Sequence, residues 1–367
     1  MLANLVRVVL VPSAVFLSVL FGGSFGSGRE VVEFMSENGP AGGFLSIAII
    51  AAVYSICLFL SFELSRLYRT YEYRGFYKLL LGRGWVIYEL FITLAVIVAL
   101  AICASSSGEV LNSRFGLPTL VGGFLLLLLV AALNYGGRDI VERSMVASVL
   151  ALAMILIALL AVVLASRSDA IASAFDTESS LSGAVRDGFK YSVTNVGFIP
   201  LLLFCGTHLK SRRETLVAGA FAGVAAIAPA IVFHLTFLAD YPNVLGQTLP
   251  TYVMIEALTP ALFLDIYVLV LFVLIVQTGV GMLQGAIERI DSWRKESTGA
   301  GLGKLGHAGF ASAAVLASAA LSSIGLVNLI AQGYNYLSIV FALIFVLPLL
   351  LVGIPRIVRA SRRADPS

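Results

Sequence analysis

The stretch Phe21-Gly22-Gly23-Ser24-Phe25-Gly26-Ser27-Gly28-Arg29-Glu30 interrupts the first long apolar run of this chain. It combines four glycines, two hydroxyls and a charge pair. Each glycine weakens a helix by about 1 kcal/mol relative to alanine, which makes no sense in a plain membrane anchor. Broken backbone at membrane depth survives only where it is buried in protein or lines a wet cavity, and in secondary transporters such breaks carry the substrate and ion sites. A second break, Thr194-Asn195-Val196-Gly197-Phe198-Ile199-Pro200, interrupts a later apolar run. The chemistry expected of both is reversible binding by freed backbone groups and nearby side chains.

The elements that position these breaks follow from hydropathy. Runs long enough to cross about 30 Å of hydrocarbon predict ten spans, over residues 5–37 (broken), 43–67, 84–111, 117–135, 141–165, 183–209 (broken), 214–239, 260–290, 305–324 and 326–354. Arg7 ahead of an apolar stretch resembles a secretory signal. The length of that stretch and Pro12 inside it favour a first span instead. Residues 71–81 set Tyr73, Phe76, Tyr77 and Leu80 against Arg74 and Lys78 and predict an interfacial helix.

Placing the N-terminus inside puts 19 of the 24 Lys and Arg residues on the inner side. Only Arg29, Arg114, Arg167, Arg186 and Lys190 remain outside. This asymmetry predicts cytoplasmic termini in a cell inner membrane. The spans divide five and five, into residues 1–165 and 183–354 with a tail at 355–367, and the first span of each half is the broken one. An odd number of spans per half makes the halves insert with opposite topology, the pattern of an inverted repeat.

Composition agrees: 59% of residues are hydrophobic and 12% charged, against about 25% charged in soluble domains. The net charge of +3 is no nucleic-acid signature, because the basic residues lie in short loops. Cys57, Cys103 and Cys205 and the histidines His208, His234 and His307 lack metal-site spacing. The pairs Gly219/Gly223 and Gly281/Gly285 both read as close helix contacts.

The first break, followed by Val31-Val32-Glu33-Phe34, resembles the GAGFASGQE signature of YkvI-type bacterial membrane proteins. Thr278-Gly279-Val280-Gly281 resembles the same family more loosely, while Gly23 and Gly26 stand in place of alanines and Arg29 in place of a glutamine. That family is similar to the amino acid–polyamine–organocation superfamily, which implies an all-α LeuT-like fold of ten helices with spans one and six broken side by side. Half-helix ends there would offer partial charges of opposite sign. The expected substrate-binding residues are Gly22, Gly23, Ser24, Phe25, Gly26, Ser27, Thr194, Asn195, Gly197 and Phe198, with Arg29 and Glu30 as gate or coupling residues. The resemblance implies a sodium ion held by Thr278 with Gly22 and Gly23, and it assigns residues 245–258 to a lid over the outer vestibule.

The expected function is sodium-coupled symport of a small polar, amino-acid-like solute. Proton coupling is the weaker alternative: the resemblance implies a lysine in span five of a proton-coupled relative, and residues 141–165 contain only Arg143, at their inner end. A passive channel, an intramembrane enzyme and a sensor are the competing classes. No repeated filter loop and no HExxH-type zinc motif is present to favour the first two. Substrate identity and oligomeric state are not legible in the sequence.

Overall fold

The computed structural model describes residues 6–20, 23–136 and 138–364. Among them seven helices are long and apolar enough to cross a membrane. The bent pair Leu181–Val196 and Ile199–Gly206 makes an eighth, and two shorter apolar helices cover Val6–Leu17 and Thr119–Asn134. Together they correspond to the ten expected spans. The protein is a multi-pass membrane protein, and leucines such as Leu120, Leu262, Leu269 and Leu351 lie exposed along the spans, as lipid-facing side chains do.

Span one runs through Val6–Leu10 and Val11–Leu20, continues as Gly23–Gly26, and resumes as Arg29–Phe34 after a left-handed Gly28 (φ 83°). It ends there; Ser36–Asn38 is a 3-10 turn leading into span two, Pro40–Tyr68. The helix Tyr73–Leu81, capped by the Glu72 carboxylate, precedes span three, Trp85–Phe115. Arg74 departs from the interfacial expectation. It is buried, and its Nη2 donates to the Arg289 carbonyl oxygen (3.0 Å).

Span four is Thr119–Gly136 and span five Arg138–Ala174, kinked at Arg167 and a full two turns longer than its apolar part. Span six bends by 61° between Leu181–Val196 and Ile199–Gly206. The cause is local: Pro200 has no N–H to return to the Val196 carbonyl, and Gly197 is pressed against the Phe341 ring. Spans seven, Arg212–Leu238, eight, Ala261–Thr298, nine, Lys304–Ser322, and ten, Leu326–Phe341, follow. Two π-helical stretches and the basic helix Ile354–Ala364 extend span ten.

Span one packs on span seven, and reciprocally span six packs on span two, while spans two and seven share the most extensive seam. This exchange is what an inverted five-plus-five repeat produces. The seam is made by small residues: a Cβ on Gly219 would lie 2.6 Å from the Phe59 backbone nitrogen, and one on Gly223 would strike Ser55. Gly281 and Gly285 correct the matching expectation for span eight, because a Cβ at either would meet nothing within 4 Å. They face open space.

Arg7 to Glu214 (2.9 Å), the Thr215 hydroxyl to Glu63 (2.9 Å) and the Tyr68 hydroxyl to the Arg356 carbonyl tie spans one, two, seven and ten at one end, called here the basic face. The opposite face carries the Arg114–Asp265 and Arg186–Asp187 pairs.

Candidate functional site

The two breaks meet around a small central cavity of about 60 Å³. Spans one, three, six, eight and ten line it with Glu30, Cys103, Thr194, Asn195, Phe198, Thr278, Met282 and Tyr334, among apolar neighbours. Glu30 is the charged group of this set. The helix restart after Gly28 places it in the first turn of Arg29–Phe34, where the helix dipole favours a negative charge. Its carboxylate is buried and accepts hydrogen bonds from the Tyr191 hydroxyl at Oε2 (2.8 Å) and the Tyr334 hydroxyl at Oε1 (2.9 Å). The two tyrosine rings stack at 5.6 Å, and Phe34 closes on both at 5.2 and 5.1 Å.

This aromatic layer separates the cavity from a vestibule of about 560 Å³ on the opposite face, whose walls include Phe34, Glu33, Glu37, Asp187, Arg186 and Lys190. On the basic-face side Met282 stands between the cavity and a second vestibule of about 410 Å³. The cavity thus lies between two larger chambers, with an aromatic layer on one side and one methionine on the other.

The expected site residues divide. Thr194, Asn195, Phe198, Thr278 and Glu30 line the cavity. The Thr194 hydroxyl bridges its own helix to span ten, reaching the Lys190 carbonyl (3.0 Å) and the Tyr334 carbonyl (3.2 Å). The Asn195 amide donates to the Tyr191 carbonyl (2.9 Å). Phe25 does not cap the cavity; it packs edge-on against Phe233 of span seven at 5.5 Å, because the half-helix turns that face away. Gly26 and Ser27 face the lid segment and span eight instead: the Gly26 carbonyl accepts from the Tyr267 hydroxyl (3.2 Å) and the Ser27 carbonyl from the Thr251 N–H (3.1 Å). Gly197 gives its carbonyl to the Tyr88 hydroxyl (3.2 Å). Gly23 falls in the short turn Gly23–Gly26, while Gly22 and the Ser24 side chain lie outside the described residues.

Arg29 and Glu30 do not act as a pair. The buried Arg29 guanidinium donates to the Leu245 carbonyl (2.9 Å), the Gln247 carbonyl (3.1 Å), Glu33 (2.6 Å) and Glu37 (3.2 Å). It therefore fastens the segment after span seven, with Asn243–Gly246 and Pro250–Leu258, onto the upper half of span one. Charge-assisted hydrogen bonds are worth about 1.5–3 kcal/mol each. Arg29→Gln is expected to raise hydrogen exchange across residues 243–251 by tenfold or more, and unchanged exchange there would contradict this role.

Glu37, in the turn beyond span one, has its carboxyl raised to about 7 by burial, with Glu33 and Asp187 adding to the rise and Arg29 opposing it. A carboxyl raised in the folded state holds a proton that the unfolded chain has released, so stability falls as pH rises from about 4.5 to 7. Glu37→Gln is expected to flatten that slope in melting experiments over this window. An unchanged slope would show that Glu37, set in the vestibule among Glu33, Asp187, Arg186 and Lys190, does not carry the titration.

Tyr191, Tyr334 and Phe34 were not singled out by sequence reasoning. Nothing in their spacing distinguishes them from aromatic packing in an apolar run. No His, Cys, Asp and Glu grouping fit for a metal ion occurs among the described residues.

No family model and no curated protein matches the chain in sequence. Solved structures do match in shape. MhsT in complex with L-phenylalanine is 14% identical, with 94% of this chain and 87% of that chain covered at a TM-score of 0.63. A manganese transporter from Eremococcus coleocola is 13% identical, with coverage of 95% and 78% at a TM-score of 0.59. A Na+-coupled sialic acid symporter in a substrate-bound, outward-open state is 15% identical, with coverage of 94% and 87% at a TM-score of 0.52. The chain has the LeuT-like fold. Two of these neighbours are described as a transporter and a symporter.

Proposed function

We propose that the protein is a secondary transporter that carries a small polar, amino-acid-like solute by alternating access. The observation that carries this reading is the small cavity between two broken spans, with Glu30, Thr194, Asn195 and Thr278 in its wall and a vestibule on each side. A cavity of about 60 Å³ suits a solute of few heavy atoms. Glu30 is the receptor for the solute ammonium group: an amine replaces or joins the tyrosine hydroxyls at its carboxylate, a charge-assisted contact in a water-poor site. The aromatic layer of Phe34, Tyr191 and Tyr334 gates the cavity toward the opposite face, and Met282 gates it toward the basic face. The charge bias of the loops supports cytoplasmic termini in an inner membrane, and the first-break motif supports kinship with YkvI-type proteins.

Sodium is the coupling ion in this reading. Thr278 supplies a hard oxygen of the kind such cations prefer: its hydroxyl proton is given to the Leu274 carbonyl (2.9 Å), which leaves the oxygen lone pairs for an ion. The Na+-coupled neighbour supports the choice. Uptake of radiolabelled small amino acids into proteoliposomes, with and without an inward sodium gradient, tests it. Thr278→Val is expected to raise the half-saturating sodium concentration about tenfold while sparing solute binding at saturating sodium. Uptake that follows a proton gradient and ignores sodium would transfer the coupling role to Glu30.

A further inference from the structure

Span eight presents one continuous stripe to the space beneath the cavity. Thr278, Met282, Gly285 and Arg289 recur at intervals of four, three and four residues, which keeps them on one helix face. Thr278 and Met282 line the central cavity, while Met282, Gly285 and Arg289 line the basic-face vestibule. The stripe covers about 16 Å at 1.5 Å per residue. Two properties of its lower half are unexplained by packing. Gly281 and Gly285 have open space where side chains would stand, so they hold nothing together and instead keep the vestibule wide.

Arg289 is 92% buried, given its relative exposure of 8%. Its Nε donates to the Gly285 carbonyl of its own helix (3.1 Å), and its buried Nη1 has no hydrogen-bonding partner among the described residues. The carboxylates nearby are occupied otherwise. Glu72 accepts from the N–H groups of Gly75 (2.6 Å) and Arg74 (3.3 Å), Glu288 accepts from Gln284 (2.8 Å), and Glu89, which lines a cleft with Arg289, accepts from the Arg74 Nε (3.4 Å). A buried guanidinium without its anion is strongly destabilising, and its fork geometry matches a carboxylate.

We propose that the basic-face vestibule is a release chamber with Arg289 as its anion receptor, and that the transported solute therefore carries a carboxylate. The proposal rests on the transport reading above and narrows it. The ammonium end of the solute meets Glu30 in the cavity; once Met282 moves aside, the carboxylate end descends the glycine-lined wall to Arg289. No covalent step is involved.

The chain contains two tryptophans. Both, Trp85 and Trp293, line a cleft with Arg289, so intrinsic fluorescence reports on its surroundings without any transport assay. Propionate, ethylamine and L-alanine serve as probes that differ only in their charged groups. In purified protein, propionate and alanine are expected to change tryptophan emission saturably, with a dissociation constant of about 1–10 mM, the range of a single charged contact. Ethylamine is expected to do nothing. Arg289→Gln abolishes the response, Arg289→Lys retains part of it, and the control Arg356→Gln retains all of it.

In proteoliposomes Arg289→Gln is expected to raise the half-saturating alanine concentration at the basic face about tenfold and leave the opposite face within twofold. Gly285→Leu is expected to slow release by at least tenfold with solute binding intact. A saturable response lost in Arg289→Gln, combined with no transport by the wild type, would leave the receptor standing and sink the transport reading. Absence of a saturable response, or an equal response in Arg289→Gln, would overturn the receptor whatever the transport result.

Discussion

Replacing Glu30 by glutamine is expected to lower solute uptake by up to about a hundredfold, while the protein still folds and still melts cooperatively. The side chain keeps its shape, and an amide can still bond the hydroxyls of Tyr191 and Tyr334, so the stack of those rings against Phe34 survives. What is lost is the negative charge. A charge-assisted contact of an ammonium group in a cavity of about 60 Å³ is worth up to about 3 kcal/mol, and each 1.36 kcal/mol is a factor of ten. Initial rates of uptake over a range of alanine concentrations measure the effect. Wild-type rates in Glu30→Gln would remove Glu30 from solute recognition and return it to a purely structural role between spans one, six and ten.

Gly28→Ala is expected to be the most damaging single-methyl substitution near the site. Gly28 has φ 83°, a left-handed conformation that costs an ordinary L-residue about 1–2 kcal/mol. A Cβ there would also strike the Phe237 ring and lie 2.6 Å from the Thr251 hydroxyl oxygen, and overpacking of this kind costs about 1–3 kcal/mol. The combined loss of about 2–5 kcal/mol should appear as a clearly lowered melting temperature and as faster exchange in Arg29–Phe34. Gly246→Ala is the matched control, because a Cβ there meets nothing within 4 Å. Equal melting of the two variants would show that the restart of span one does not depend on Gly28.

Much of the fold was legible because its signals are summed over many residues. Apolar runs and the alternation of loop charge gave ten spans, and the two breaks were visible as glycine, proline and hydroxyl residues where none belong. Within the breaks the inference lost resolution. Which residues of a broken helix face inward depends on how the half-helix rotates as it restarts, and that rotation is set by Phe233, Tyr267 and Thr251, more than two hundred positions away. Phe198 and Phe25 occupy equivalent-looking places, yet one lines the cavity and the other packs on span seven. The Glu30 partners were hidden for the converse reason: a tyrosine in an apolar run carries no mark that its hydroxyl will meet a carboxylate.

The two glycine pairs at four-residue spacing in spans seven and eight are indistinguishable as strings, and their geometry assigns them opposite tolerances to change. At Gly219 and Gly223 every larger side chain collides with the backbone or side chain of span two, so variation there should be purged at the level of folding. At Gly281 and Gly285 nothing stands in the way, so a library of substitutions should express and fold. A deep mutational scan read once by surface abundance and once by solute uptake would therefore separate them: the first pair fails both selections, and the second fails only the one that requires passage.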